Sequence, residues 1–322
     1  MRRSDRVIEA LPVVQAAAIE PGEGPSWLVE GLWPAEGVGF LCGLPKNCKS
    51  WLSLDLAVSV ASGTPALGTY AVPGAGPVLL LAAEDPPATV RSRLEGLAVV
   101  RGLALERLPL QVILETSVRL DTLADQERLV ATVEQHRPRL LVLDPFVRLH
   151  RIDENSALEV SGILAYLRAL QRSHHVAVLV VHHARKAQGA GEQAGLSLRG
   201  SGDFHAWGDA NLYMRKRRGV LELTIEHRSA ASPDPIPLVL KLEEGRPPHL
   251  ALLTSSSQQE VGDDLKSRVV ATLAELSAPT TQEALRAKLG VRLARLVAAL
   301  RELEQTGLIV RTPSGWTTAP QG

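Results

Sequence analysis

Five short apolar runs, rich in Val and Leu, alternate with longer segments of helical periodicity between residues 37 and 181. Uninterrupted apolar runs of this length are typical of strands that are buried on both faces of a parallel sheet. The predicted strands are residues 38–42, 77–83, 110–114, 140–143 and 176–181, and the predicted helices are residues 50–61, 87–100, 124–136 and 156–173. The alternation predicts an α/β fold built on a mainly parallel sheet.

Bulk composition limits the classes of function. At 322 residues the chain exceeds the usual size of one domain, so we expect one large domain and one small one. The 35 basic and 35 acidic residues cancel, which argues against a generally basic protein that coats DNA. The sequence shows neither the apolar stretch of a membrane helix nor the apolar core of a signal peptide. Its two cysteines, Cys42 and Cys48, suit a reducing compartment. We expect a cytoplasmic protein with no membrane partner.

The remaining segments suggest three parts. Residues 1–30 have mixed polarity and are interpreted as an N-terminal arm, and residues 31–257 as the α/β core. Within the core, the alternating segments 210–214, 220–225, 236–242 and 249–253 predict antiparallel strands that extend the sheet. Residues 258–322 are interpreted as a linker followed by a small domain with helices and a closing hairpin, in which Thr280 and Glu283 form a capping box.

The octapeptide GLPKNCKS follows the first strand and precedes the first helix, and it matches the phosphate-loop pattern GxxxxGK(S/T) with one mismatch. In such a loop, backbone N–H groups and the helix N-terminus bind phosphate oxygens. Lys49 would neutralise the β and γ phosphates, and the Ser50 hydroxyl would ligate Mg²⁺. The mismatch is Cys48, at a position where glycine normally permits a positive φ. The alternative is a turn that merely contains Lys-Ser.

Carboxylates follow two other predicted strands. Asp144 ends the run RLLVLD, where it could reach Mg²⁺ through water, although an Asp at this place is equally often a cap or turn residue. Glu84 and Asp85 end the run PVLLLAAED, at the sheet edge where ligands gather in open parallel sheets. A carboxylate there can orient or deprotonate an attacking water, and we favour Glu84 as that base. A solvated strand end is the simpler alternative.

Two adjacent histidines, His182 and His183, end the strand VAVLVVHH. Neighbouring residues of an extended strand point to opposite faces, so at most one of them faces the site and the other is packed or solvated. We predict that one contacts the γ-phosphate and reports its loss to the Gly-rich segment that follows.

Together, GLPKNCKSWLSLDLAVSVASG, VLLLAAEDP, LLVLDPFVRLHRIDENSA, LVVHHARKA and LRGSGDF resemble the RecA/DnaB-like superfamily, and within it the RepA-type hexameric replicative helicases of plasmids. The resemblance covers residues 30–250. It implies a RecA-like P-loop core that uses ATP and Mg²⁺, with Ser50 and Asp144 at the metal. It implies a catalytic carboxylate at Glu84 and a γ-phosphate sensor at His183 or His182. The nucleotide-binding residues are then Gly43, Leu44, Pro45, Lys46, Asn47, Cys48, Lys49 and Ser50.

Members of this class act as homo-oligomeric rings in which a neighbouring subunit contributes an arginine finger. The candidates here are Arg228, which we prefer, Arg215 and Arg217. Asp209 stands near the position where the RepA-type pattern would have the finger. An arginine at a hairpin tip is equally often a solvated charge.

Two segments are candidates for contact with nucleic acid. Lys186 and Arg199 lie in the loop 185–205, which by the resemblance would face the ring channel and follow single-stranded DNA. Residues 263–318 resemble a winged-helix domain that would bind duplex DNA or a protein partner.

These features favour an ATP-driven DNA motor, a RepA-like replicative helicase of a plasmid, phage or other mobile element. The first alternative is a RecA-like regulatory or loader ATPase that binds DNA or a replication or recombination partner without unwinding. The second is a nucleotide-gated DNA-binding regulator with negligible turnover.

Overall fold

The computed structural model describes residues 11–19, 26–183, 203–217, 220–253, 255–276, 278–291 and 293–319. The chain separates into two units, residues 1–252 and 253–322. The strands of the first unit are β1 (Trp27–Val29), β2 (Trp33–Pro34), β3 (Val38–Gly43), β4 (Val78–Ala82), β5 (Leu110–Ile113), β6 (Leu140–Asp144), β7 (Ala177–His183), β8 (Ala210–Arg217), β9 (Val220–His227), β10 (Ile236–Lys241) and β11 (His249–Leu252). Its α-helices are α1 (Lys49–Ser62), α2 (Pro87–Val100), α3 (Leu123–His136), α4 (Ala157–His174) and α5 (Asp203–Trp207).

The central sheet of this unit has the strand order β11-β10-β9-β8-β3-β7-β6-β4-β5 within the described residues. The strands from β3 to β7 pair in parallel, and β9, β10 and β11 extend the sheet by antiparallel pairing. The predicted α/β fold with a mainly parallel sheet is therefore confirmed. One detail differs, because β8 was predicted as part of the antiparallel extension but pairs in parallel with β3.

Local sequence signals explain the helix ends. Thr122 caps α3 by accepting a hydrogen bond from the Asp125 N–H, and Ser156 caps α4 in the same way from the Glu159 N–H. Gly63 ends α1 with a φ of 76°, the left-handed conformation that glycine adopts without steric cost. The four predicted helices are confirmed, with ends that differ by at most one residue.

Each face of the sheet packs against its own helices, because strand side chains alternate between the faces. Leu41, Leu80 and Val142 share one core cluster with residues of α1 and α2. Phe40, on the other face, belongs to a second cluster with residues of α3 and α4. Leu28, from the N-terminal β1–β2 hairpin, is also buried in the first cluster, so the chain enters the core within the residues interpreted as an arm.

The second unit contains three helices and a two-stranded hairpin among its described residues, as predicted. They are α6 (Ser255–Ala274), α7 (Gln282–Leu289), α8 (Leu293–Gln305), β12 (Ile309–Thr312) and β13 (Gly315–Thr318). The capping prediction was wrong by one residue. Thr281 accepts the hydrogen bond from the Ala284 N–H, whereas Thr280 exchanges backbone hydrogen bonds with Trp316. In the part of the chain that the structure describes, no helix has the length and apolarity needed to cross a membrane.

Candidate functional site

A cavity of about 470 Å³ opens at the carboxyl ends of the parallel strands, and we call it the carboxyl-edge cavity. Its volume lies within the range of small-molecule sites. Its lining includes Pro45, Lys46, Asn47, Cys48, Lys49, Ser50, Trp51, Glu84, Asp85, Arg93, Asp144 and His183. The cavity thus brings together residues from four separate stretches of the sequence.

Strand register explains this convergence. Asp144 pairs with Ala82 at the ends of β6 and β4, and His183 pairs with Gly43 at the ends of β7 and β3. Parallel strands end at the same edge of a sheet, so side chains at or just after these ends meet in one crevice.

The loop between β3 and α1 is held by its own polar contacts. The Lys49 ammonium donates hydrogen bonds to the carbonyl oxygens of Gly43 at 2.9 Å and Leu44 at 3.2 Å. The Asn47 amide donates to the Met214 carbonyl at 3.1 Å, which ties the loop to β8. A Cβ atom at Gly43 would lie 2.6 Å from that same Met214 oxygen, so the strands approach closely only with glycine there. Gly43 and Leu44 support the loop through their backbones and are not among the residues that line the cavity.

Cys48 occupies the left-handed region, with φ 59° and ψ 24°, immediately before α1. Glycine has no Cβ and adopts this conformation without the cost of about 1–2 kcal/mol that an L-residue incurs. The thiol is partly buried, and burial raises the pKa of Cys48 although nearby positive charges, first that of Lys216, oppose the rise. Cys48 thus adopts a left-handed conformation at the position where the phosphate-loop pattern normally has glycine.

We expect Cys48→Gly to be more stable to unfolding than Cys48→Ala by about 0.5–1 kcal/mol. The relief of the left-handed strain outweighs the chain entropy that favours alanine. Urea unfolding of both variants measures the difference. The same pair of substitutions at Ser161, an exposed residue of α4, should give the opposite order. If the alanine variant were the more stable one at both positions, the backbone strain at Cys48 would be contradicted.

Asp144 is held by hydroxyl groups of α1. The Ser53 hydroxyl donates to the Asp144 carboxylate at 3.1 Å. Burial raises the pKa of Asp144 to about 6, against hydrogen bonds from Ser50 and Ser53 that lower it. Because desolvation disfavours the charged form of this carboxyl group, a cation beside it would stabilise the ionised form.

Two cavity groups have depressed pKa values. Burial lowers the pKa of Lys49, and the negative charges of Asp144 and Glu84 oppose that change. Burial also lowers the pKa of His183, and the positive charge of Lys49 lowers it further. An anion in the cavity would favour the charged form of Lys49, because Coulomb interactions are strong where water is excluded.

The two carboxylates after β4 have different partners. Asp85 forms an ion pair with Arg93 at 2.5 Å, and the Arg93 guanidinium lies 5.3 Å from the centre of the Trp51 ring. Glu84 is half exposed and its nearest cation, Arg148, is 4.0 Å away. Glu84 is therefore the carboxylate with more freedom to engage water.

Residues 4–189, more than half of the chain, match the AAA domain family. The chain belongs to this family. A solved structure titled "The Structure Of A DnaB-Like Replicative Helicase And Its Interactions With Primase" is similar at 14% sequence identity, with a TM-score of 0.49. The match covers 66% of this chain and 57% of that chain.

The adjacent histidines of this AAA domain protein point to opposite faces of β7. His183 lines the carboxyl-edge cavity. His182 is buried in the core cluster on the other face, near Phe40 and Phe204. Of the two sensor candidates, only His183 is at the cavity, and the placement of His182 there was wrong.

Arg228 lies at the opposite end of the sheet from the cavity. Its guanidinium contacts the Asp209 carboxylate at 3.2 Å and donates to the Ala206 carbonyl. Asp209 precedes β8 and its N–H donates to the carbonyl of Val38, the first residue of β3. Arg228 therefore does not reach the carboxyl-edge cavity.

Several residues of the site were not found from the sequence. Ser53 follows Ser50 by three residues, and this helical spacing is a signal that could have identified it. Trp51 and Arg93 gave no such signal, because α1 and α2 meet only in the folded protein. The predicted DNA contacts Lys186 and Arg199 lie outside the described residues, and the last residues of loop 185–205 belong to α5.

Proposed function

We propose that this AAA domain protein is an ATPase that binds ATP and Mg²⁺ in the carboxyl-edge cavity. The observation that carries the proposal is the meeting of Lys49, Ser50, Glu84, Asp144 and His183 around one cavity of nucleotide size. Phosphoryl transfer to water requires a phosphate loop with a lysine, a hydroxyl group for the metal and two carboxylates. Here the lysine is buried, one carboxylate is buried and the other is half exposed.

The residues present suit both ligands. Lys49 currently donates to two backbone carbonyls, and it is positioned at the phosphate loop to donate to phosphate oxygens instead. Ser50 and Asp144 would hold Mg²⁺, the latter through water, and the buried Asp144 carboxylate is a suitable hard oxygen donor. When bound, the metal supplies charge neutralisation to the β and γ phosphates.

Glu84 would orient the attacking water and accept its proton, while Lys49 offsets the charge that develops on the phosphates. His183 would donate a hydrogen bond to the γ-phosphate and lose that partner after hydrolysis. Its partial burial and depressed pKa support a neutral imidazole that responds to the phosphate by hydrogen bonding.

We further propose a homo-oligomeric ring in which Arg228 acts on the cavity of the next subunit. The distance of Arg228 from its own cavity supports action in trans, since a finger residue serves a neighbour's site. Arg215 and Arg217 follow Met214, which pairs with Gly43, so they lie at the same sheet edge as the cavity of their own subunit.

The motor activity that we propose is that of a RepA-like DNA helicase serving a plasmid, phage or mobile element. Single-stranded DNA would contact residues 185–205, which begin two residues after His183, the last residue of β7. The helices and hairpin of residues 253–322 support a winged-helix domain that binds duplex DNA or a protein partner. The alternative is a regulatory or loader ATPase without unwinding.

Steady-state ATP hydrolysis with and without single-stranded DNA tests these proposals, at a protein concentration high enough for ring assembly. A DNA motor requires strong stimulation by DNA together with strand separation on a forked duplex. Turnover that is indifferent to DNA favours the regulatory ATPase. Nucleotide binding without turnover favours the gated DNA-binding regulator and overturns the ATPase proposal.

Metal dependence is expected to vary with pH. Mg²⁺ binding requires the ionised form of Asp144, whose pKa is about 6 in the free protein. The apparent Mg²⁺ affinity should therefore be constant above pH 7 and fall by about tenfold per unit below pH 6. Mg²⁺ titrations of nucleotide binding between pH 5 and 8 measure this. Asp144→Asn should weaken Mg²⁺ binding and leave only the pH dependence that free ATP shows. An unchanged affinity at pH 5 in the wild type would contradict this prediction.

A further inference from the structure

Two buried histidines and a partly buried glutamate meet outside the carboxyl-edge cavity. His150, Glu154 and His182 have side chains that are 3%, 12% and 1% exposed. His150 and Glu154 come from the segment between β6 and α4, and His182 comes from β7. Buried groups of this kind are costly to keep, so their grouping calls for a role.

The Glu154 carboxylate lies between the two imidazoles. Its Oε1 is 3.4 Å from His150 Nε2, and its Oε2 is 3.6 Å from His182 Nε2. Burial raises the pKa of Glu154, but the polar contacts with both histidines outweigh it and hold the pKa of this carboxyl well below its ordinary value. Among the described residues, no group of three or more His, Cys, Asp or Glu side chains is arranged to hold a metal ion. The cluster therefore consists of a carboxylate between two imidazoles.

Aromatic rings surround this cluster. The Phe146 ring centre is 4.3 Å from that of His150, and the Phe204 ring centre is 5.0 Å from that of His182. Phe40 packs edge-on against His182 at 5.7 Å. Rings on these sides exclude water, so the carboxylate interacts with the imidazoles in a medium of low dielectric constant, where polar contacts strongly orient their partners.

The cluster and the cavity are joined by one peptide unit. His182 and His183 are consecutive in β7, so their side chains leave opposite faces of the strand. His183 pairs with Gly43, whose carbonyl accepts from Lys49. A contact that holds His182 behind the sheet therefore also constrains the backbone from which the His183 side chain projects in front of it.

We propose that Glu154 is a positioning residue that holds His182, and through it the end of β7, so that His183 faces the γ-phosphate. His150 shares this role by orienting the carboxylate from its other side. This inference rests on the proposed function, because it assigns the γ-phosphate contact to His183. The contact of Glu154 with His182 links the segment after β6, the strand that ends in Asp144, to β7, the strand that carries His183.

Glu154→Gln is the most direct test. Glutamine keeps the size of the side chain but presents an oxygen to one imidazole and an amide N–H₂ to the other, so one imidazole must change its tautomer or turn. We expect kcat for ATP to fall by about 10-fold or more, as for partners that orient a functional group, with KM changed by less than about twofold. Glu154→Asp keeps the charge and should recover part of the loss.

A double-mutant cycle separates positioning from general destabilisation. If Glu154 acts through His183, then adding E154Q to His183→Ala should cause no further loss of kcat. The matched control is Glu36→Gln, which breaks an exposed Glu–His pair, with 3.0 Å between Glu36 Oε2 and His175 Nδ1, and should leave kcat unchanged. Additive losses in the cycle, or a lowered melting temperature with normal kcat, would overturn the proposal.

A measurement that does not depend on ATP hydrolysis can test positioning even if the proposed ATPase activity is wrong. In the wild type, the imidazole NMR signals of His183 should shift when a non-hydrolysable ATP analogue and Mg²⁺ are added, and in E154Q this shift should be lost while the analogue still binds. An undiminished shift in E154Q would refute positioning even if the protein hydrolyses no ATP. If E154Q does not fold, His182→Gln provides the same comparison, with the same two outcomes.

Discussion

Replacing Lys49 with alanine is expected to reduce ATP hydrolysis by at least about 10²–10³-fold, the usual cost of removing a charge-stabilising donor from a preorganised site. Lys49 is buried at the phosphate loop, and its ammonium contacts only backbone carbonyls in the described structure. No other lysine side chain is as buried among the described residues. Steady-state phosphate release, with and without single-stranded DNA, measures the loss.

The matched control for this prediction is Lys241→Ala. Lys241 is a lysine of β10 that pairs with Glu243 at 3.3 Å and has no part in the cavity. It should retain wild-type turnover at equal protein concentration. Comparable activity in Lys49→Ala and wild type would show that hydrolysis, if present, occurs elsewhere, and it would remove the basis for the ATPase proposal.

Glu84→Gln is expected to lower kcat by about 10²–10⁴-fold while leaving nucleotide binding nearly intact. Glutamine matches the size of glutamate but cannot accept a proton from water at neutral pH. The half-exposed Glu84 lies 4.0 Å from its nearest cation, so the substitution removes no strong structural contact. Single-turnover hydrolysis and fluorescent-nucleotide binding separate the two effects.

Asp85→Asn is the natural comparison, because Asp85 is the neighbouring carboxylate at the same cavity. Its ion pair with Arg93 at 2.5 Å predicts a different outcome. The loss of that partner should weaken nucleotide affinity or stability more than the chemical step. If Asp85→Asn abolished turnover and Glu84→Gln did not, the assignment of the base would have to be exchanged between the two residues.

Much of the fold was accessible from local sequence patterns. The apolar runs before residues 43 and 144 predicted β3 and β6 because an uninterrupted Val-rich and Leu-rich run of that length fits a strand buried on both faces. The helices α1 to α4 followed from their apolar periodicity. The convergence of Lys49, Glu84 and Asp144 was predictable as well, since all three lie at or after the ends of parallel strands and such ends lie at one edge.

Other features depended on contacts between distant parts of the chain. Ser53 and Asp144 are 91 residues apart in the sequence, yet their side chains are hydrogen-bonded. The pairing of β8 with β3 places Arg215 at the sheet edge where the carboxyl-edge cavity opens. Asp209 holds Arg228 at the other end of the sheet. No local pattern encodes these partners, because strand order is determined by packing of whole elements.

The sequence by itself determined that this chain forms an α/β core with a phosphate loop between a buried strand and a helix, because periodicity and loop spacing act over a few residues. It also determined that only one of the two adjacent histidines can face the cavity. Only the tertiary structure decided that this residue is His183, and that His182 meets Glu154 on the other face. The choice depends on which face of β7 receives α1, and that follows from how the helices cross over the sheet.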